Sequence, residues 1–343
     1  MNARSQTKSI IRVPAVGIVV ALLACVASRV FHDSRHHAER EISPYPGTGA
    51  QPPGLQAQLD LGDHLAMEGR VQDAARVFAD AARAAPRDAQ PYTRLGALAV
   101  QDHRPDYARA NFLRSAQLNP SDPEVWHALG DLYARARLNH HAIEAYQHTI
   151  RLQPDDETAW RQLGVLETEA KHLGRGYDAL KRAAILKPSD LAAQIDLGNC
   201  CLISGHLPEA RQAFDFVLAR KPDDPSALVG AAETGLQLDP SADGLRRAED
   251  QSDRALTLSP NAHTHLVLGR IALMRKEYAR AVNELSASLA VKSDDLAAYG
   301  YLSQAYAGMG RIDLARKASA DYLRAEAQAR TVPVRSDHGA GKE

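Results

Sequence analysis

From Leu55 onward the chain repeats itself every 34 residues. Leu-Gly pairs stand at Leu61-Gly62, Leu95-Gly96, Leu129-Gly130, Leu163-Gly164 and Leu197-Gly198, each 34 beyond the last. The next, Leu268-Gly269, comes 71 later, twice 34 plus 3, and Leu302-Ser303 stands another 34 on. Pro86, Pro120, Pro154, Pro188 and Pro222 keep the same step, as do Asp88, Asp122, Asp156, Asp190 and Asp224. A fixed period of this size specifies an array of stacked supersecondary units rather than two or three independent domains. Aromatics make up only 5% of the residues, so the core must be built from Ala and Leu, which favour helix over strand.

Each repeat reads as two helices. The Asp precedes an apolar-periodic run and is placed to accept hydrogen bonds from the free amides of its first turn. Within that run the Leu is expected in the core, and the Gly leaves room for a second helix to come close. A break comes next, as at Glu68-Gly69-Arg70 and Ser204-Gly205-His206. The second run carries a small residue twelve beyond the Gly (Ala74, Ala108, Ala142, Gly176, Ala210, Ala281 and Ala315), with a larger one four later (Phe78, Phe112, Tyr146, Leu180, Phe214 and Leu285). Proline then ends the second helix. One such hairpin cannot bury its apolar faces alone, so neighbours must stack.

These residues resemble the tetratricopeptide repeat family. Its pattern W-x2-L-G-x2-Y, A-x3-F, P is met by Trp126, Leu129, Gly130, Tyr133, Ala142, Tyr146 and Pro154, and in part by Trp160, Leu163, Gly164 and Pro188. In that second repeat Glu167 replaces the aromatic and Gly176 the Ala. The resemblance implies an all-α, right-handed α-solenoid of about eight repeats, starting at Leu55, Ala89, Pro123, Glu157, Leu191, Pro225, Ala262 and Leu296. The sixth departs from the pattern. Ala231-Ala232 replaces Leu-Gly, and Pro240 and Gly244 place three extra residues in the turn between its helices. The final helix is expected to run on through Ala320 to Arg330 as a polar cap.

The N-terminus carries a different signal. Arg4, Lys8 and Arg12 precede Val13 to Ser28, sixteen uncharged residues that form one hydrophobic helix, the pattern of an export segment. Positive charge on the N-terminal flank directs the downstream chain outward. Three fates stay open. Residues 1–31 form an uncleaved single-pass anchor; or Leu22-Leu23-Ala24-Cys25 is a lipobox with Cys25 lipidated; or the chain is cleaved and released. Residues 32–54 are a charged, then Pro/Gly-rich linker, 55–330 the repeat array, and 331–343 a polar tail expected to be disordered.

No GxSxG, P-loop, HExxH or CxxC occurs, and a net charge of -1 lacks the basic footprint of a nucleic-acid binder. His140-His141, and His263 with His265, show no carboxylate or Cys partners for a metal site. No enzyme, cofactor, metal or small-molecule substrate is expected. The adjacent Cys200 and Cys201 read as buried thiols.

Binding remains. The resemblance implies that the first helices line a concave groove receiving a protein or peptide. Leu59 and Asp63 stand where the family's carboxylate-binding subclass has Lys and Asn, which argues against that subclass. Groove positions early in the array are charged (Asp60, Asp63, Arg94, His127, Asp131, Arg161). Later ones, Ile195, Asn199, Leu202, Val229, Glu233, Leu266, Arg270, Leu273, Tyr301 and Gln304, form an apolar strip with a polar rim, which suits an amphipathic helix or extended peptide. The expectation is a membrane-tethered interaction scaffold on the outer side of a bacterial inner membrane. Alternatives are an envelope lipoprotein assisting secretion or pilus assembly, or a regulatory subunit of an envelope polysaccharide enzyme.

Overall fold

The aspartates at 34-residue spacing start helices where they were expected to. Residues 54–331 are described by a computed structural model and form sixteen helices; no strand occurs among the described residues. The chain divides into two compact units, Met1–Ser121 and Asp122–Glu343. The first holds α1 (Leu55–Met67), α2 (Val71–Ala84), α3 (Gln90–Gln101) and α4 (Pro105–Leu118). The second holds α5 (Pro123–Arg135), α6 (Asn139–Leu152), α7 (Glu157–Glu169), α8 (Leu173–Leu186), α9 (Leu191–Ile203) and α10 (Leu207–Leu218). It continues with α11 (Pro225–Leu238), α12 (Ala242–Leu258), α13 (Ala262–Met274), α14 (Tyr278–Val291), α15 (Leu296–Gly308) and α16 (Ile312–Thr331). Odd-numbered helices are the first of each repeat, even-numbered ones the second.

Asp122, Asp156, Asp190 and Asp224 cap α5, α7, α9 and α11, with carboxylate oxygens 2.8–3.4 Å from first-turn amides. Each such cap contributes about 1 kcal/mol. Asp88 does the same for the Gln90 amide at 2.8 Å. The break inside each hairpin is a single left-handed residue in seven of the repeats. It is Gly69, Gly205 or Gly310 in three of them, and His103, Arg137, Lys171 or Lys276 in four.

The recurring step from Gly to a larger residue has a direct packing cause. A Cβ on Gly62, Gly96, Gly130 or Gly198 would lie 2.3–2.8 Å from the ring of Phe78, Phe112, Tyr146 or Phe214 on the second helix of the hairpin. The ring occupies the space that the missing side chain leaves, and Phe78, Tyr146 and Phe214 are at most 1% exposed. These contacts build buried clusters along the array, such as that of Phe214, Cys201, Val217, Ala227 and Ala231.

Three expectations need correction. Leu61 is 49% exposed, unlike Leu95, Leu129 and Leu268, because no described helix precedes α1 to cover that face. The extra residues of the sixth repeat are not in its turn, which has three residues, Asp239 to Ser241, like that of the fifth. Ser241 accepts a hydrogen bond from the Gly244 amide (3.1 Å), so the chain re-enters helix at Ala242 and the added length lies mainly in α12, 17 residues long. His140, His263 and His265 do have carboxylate partners, in Glu144, Glu233 and Glu284. The final helix runs to Thr331, as expected for a longer last element. Among the described residues no helix is long and apolar enough to cross a membrane. The segment Val13 to Ser28, Cys25 and the linker lie outside the described residues.

Candidate functional site

The expected groove residues lie on α9, α11, α13 and α15, first helices of the C-terminal unit that pack side by side. The structure divides them. Val229 is 3% exposed, packed with Leu228, Val267 and Leu268, and Leu266 is 8% exposed against Ala298 and Leu302. Both belong to the core and are closed to a partner, because neighbouring first helices converge on them. Ile195, Leu202, Leu273 and Tyr301 stay half-buried, and Asn199 and Gln304 are exposed. The strip is therefore narrower than its sequence pattern, with apolar patches on α9 and on α13–α15.

Between those patches lies an ion pair. Arg270 on α13 donates to Glu233 on α11 at 2.6 Å, His263 Nε2 stands 3.1 Å from the other Glu233 oxygen, and the Arg270 guanidinium lies over the Tyr301 ring. Burial pushes the Glu233 carboxyl up. The His263 hydrogen bond and the charges of His263 and Arg270 outweigh that and hold it below the usual range. Fixed in this way, the two residues brace α11 against α13 rather than offering free charges.

Most of the early charged positions are paired as well, while Asp60 only accepts a hydrogen bond from Gln56. In the N-terminal unit Arg94 donates to Asp63 at 2.9 Å. In the C-terminal unit Arg161 on α7 reaches Asp196 on α9 at 3.5 Å, and His127 on α5 bonds Asp156 at 2.8 Å. Burial pushes the Asp196 carboxyl up to about 6; Arg161 opposes this and Asp190 adds to it. These pairs join residues about one period apart, so the first-helix face is laced by charge pairs from repeat to repeat.

His140 faces Glu144 at 3.2 Å and His265 faces Glu284 at 2.8 Å. The partners of His263 and His265 come from other helices, which no local spacing reveals. Each is a single pair, and no group of three His, Cys, Asp or Glu suited to a metal occurs among the described residues. Cys200 and Cys201 are fully buried free thiols, and burial lifts Cys201 to about 11, so it is not a reactive thiolate.

Sequence reasoning missed two surfaces. Exposed apolar residues end successive first helices at Ile203, Leu238 and Met274, and Met309 directly follows the next, each 42–55% exposed. Their signal was the last apolar position before each turn. The second is a recess of about 500 Å³ between α5 and α7, lined by Asp131, Arg135, Arg137, Tyr146, Thr158 and Gln162. The Tyr146 hydroxyl donates to Asp131 at 2.6 Å; burial and then that carboxylate keep the phenol protonated well above its usual range.

Family models described as tetratricopeptide repeat match residues 123–166, and residues 32–89 and 172–225. The matched segments carry tetratricopeptide repeats, and no catalytic family is indicated. Among solved structures, a repeat protein from Parabacteroides merdae superimposes with a TM-score of 0.53 at 14% identity, over 73% of this chain and 98% of its own. YrrB, described as a tetratricopeptide repeat protein with an unusual peptide-binding site, gives 0.50 at 21% identity, over 58% and 97%. The anaphase-promoting complex assembly Cut9–Hcn1 gives 0.52 at 20% identity, over 83% and 55%. These likenesses establish the fold. No curated protein sequence matches significantly.

Proposed function

We propose that this chain is a protein-interaction scaffold of a bacterial envelope, tethered through its N-terminal segment, that takes a partner helix or extended peptide on the first-helix face of its C-terminal unit. One observation carries the binding surface. Ile195, Leu202, Leu273 and Tyr301 remain half-buried on α9, α13 and α15, beside exposed Asn199 and Gln304, after the core has closed over Val229 and Leu266. Apolar anchors within a polar rim are the anatomy of a peptide-binding surface. A repeat array also presents such positions along one face, so a partner can meet several repeats together. The tether rests on the basic residues before Val13 and the uncharged run to Ser28.

Leu202→Glu with Leu273→Glu should reduce capture of the partner from native membranes at least tenfold while leaving the helical signal intact. Leu266→Glu is unsuitable, since a charge placed in that core would unfold the protein. Retained capture by the double variant overturns the surface. For the tether, the mass of the mature N-terminus separates its forms. An intact Met1–Arg12 means an anchor; a lipid-modified Cys25, lost in Cys25→Ser, means a lipoprotein. A chain recovered wholly from the cytoplasm refutes the envelope reading.

A further inference from the structure

The recess between α5 and α7 has a rim that carries cations without ion-pair partners. Arg135, in the last turn of α5, and Arg137, in the turn after it, are exposed and make no ion pair among the described residues. The neighbouring charged residues of the first-helix face are paired, as Arg161 is with Asp196 and His127 with Asp156. At about 500 Å³ the volume falls in the ~300–1,000 Å³ range of ligand sites.

Arg137 is held there at a conformational cost. Its φ is 59°, in the left-handed region, where glycine serves at the equivalent turns Gly69 and Gly205, 68 residues on either side. Side chains other than glycine hold this position in four of the seven such turns, so what distinguishes Arg137 is its place on the recess rather than its backbone. Lys171 occupies the same position one repeat on, but it does not line the recess.

The lining selects its ligand. Two guanidinium groups attract an anion and can bond both oxygens of a carboxylate. Asp131 sits in the same recess, so the net charge of the lining is +1, which suits one carboxylate group of a ligand and disfavours a phosphate dianion. Thr158 and Gln162 add hydrogen-bonding groups on the α7 side that can meet a peptide backbone. From this geometry we infer that the recess is a binding site for an acidic peptide, with a carboxylate gripped between Arg135 and Arg137. It is a second contact point, separate from the apolar patches on α9 and α13–α15.

The test uses the purified full-length chain and a fluorescent eight-residue peptide of alternating Glu and Ala, read by anisotropy. Its Gln-Ala counterpart and the C-terminal amides of both serve as comparisons. The Glu peptide should bind, and the amidated Gln peptide should bind at least tenfold more weakly. Loss on amidation alone assigns the anchor to the terminal carboxylate; loss on Glu-to-Gln exchange alone assigns it to a side chain. Arg135→Ala with Arg137→Gly should weaken binding at least tenfold. Lys171→Gly, with the same charge change and the same backbone relief as Arg137→Gly, should shift it less than threefold. Arg137→Gly and Lys171→Gly should each melt no lower than the parent, so lost binding cannot be ascribed to unfolding. Leu202→Glu with Leu273→Glu should leave this binding unchanged, which separates it from the scaffold surface. The proposal is overturned if no acidic peptide binds, if the neutral peptide binds equally, or if Lys171→Gly costs as much as the recess variants.

Discussion

The fifth and sixth repeats adjoin in one unit and solve the same packing problem in different ways. The fifth turns at Ser204-Gly205-His206 with Gly205 at φ 77°, and its second helix, α10, has 12 residues. The sixth turns at Asp239-Pro240-Ser241 with no left-handed residue, and α12 has 17. Both end in a buried core, and Phe214 serves the two at once. Its ring fills the space at Gly198 in its own repeat and at Gly230 in the next. The period is thus a rule about which side chains must interlock, while turn chemistry and helix length can vary around it.

The strongest way to break that comparison is at the shared ring. Phe214→Ala should cost about 3–5 kcal/mol, the range for an emptied aromatic site, with hydrogen-exchange protection falling across α9 to α12 together. Loosening confined to α9 and α10 would mean that Gly230 does not couple the sixth repeat to the fifth.

Next come two carboxylates that each face an arginine on a neighbouring first helix, with opposite titration. Glu233 is held below its ordinary range, so its contribution is present above about pH 4.5 and is lost as acid protonates it. Glu233→Gln should cost about 3 kcal/mol at pH 7.5, because Arg270 is left part-buried without its partner, and less near pH 3. Asp196 is raised to about 6, so the folded protein binds more protons than the unfolded chain between roughly pH 4 and 6, and stability falls as pH rises through that window. Asp196→Asn should therefore gain about 1–2 kcal/mol at pH 7.5 and nearly nothing at pH 4. Chemical denaturation at each pair of pH values reads both. Parallel profiles for the two variants would erase the distinction.

The smallest effects sharpen the contrast between turns. Gly205→Ala should cost about 1 kcal/mol through the left-handed backbone. Ser241→Ala should cost about as much through the lost cap. The reciprocal change Lys276→Gly should gain somewhat less than 1 kcal/mol, seen as a small rise in melting temperature.

Much of the fold was legible in the chain. The caps at Asp122, Asp156, Asp190 and Asp224, the Gly-to-ring interlock and the long final helix all depend on residues within one period, and such local relations stand out because they recur. The site was less so. Val229 and Leu266 fit an exposed apolar strip in register, yet they are sealed because adjoining first helices converge on them. The partners Arg270–Glu233 and His265–Glu284 come from different helices, and nothing near either residue in the chain announces them. The recess at Arg135 and Arg137 was invisible for the same reason, since Thr158 and Gln162 come from the next repeat.

The sequence by itself determined the helical hairpin, its period and the residues that interlock within it, because these rest on backbone capping, steric room at glycine and apolar spacing along one or two helices. Only the tertiary structure decided which first-helix residues stay open, which charges neutralise each other and where the sixth repeat stores its extra length. Those outcomes depend on how closely successive helices approach, and that distance is set by the summed packing of side chains from several repeats at once.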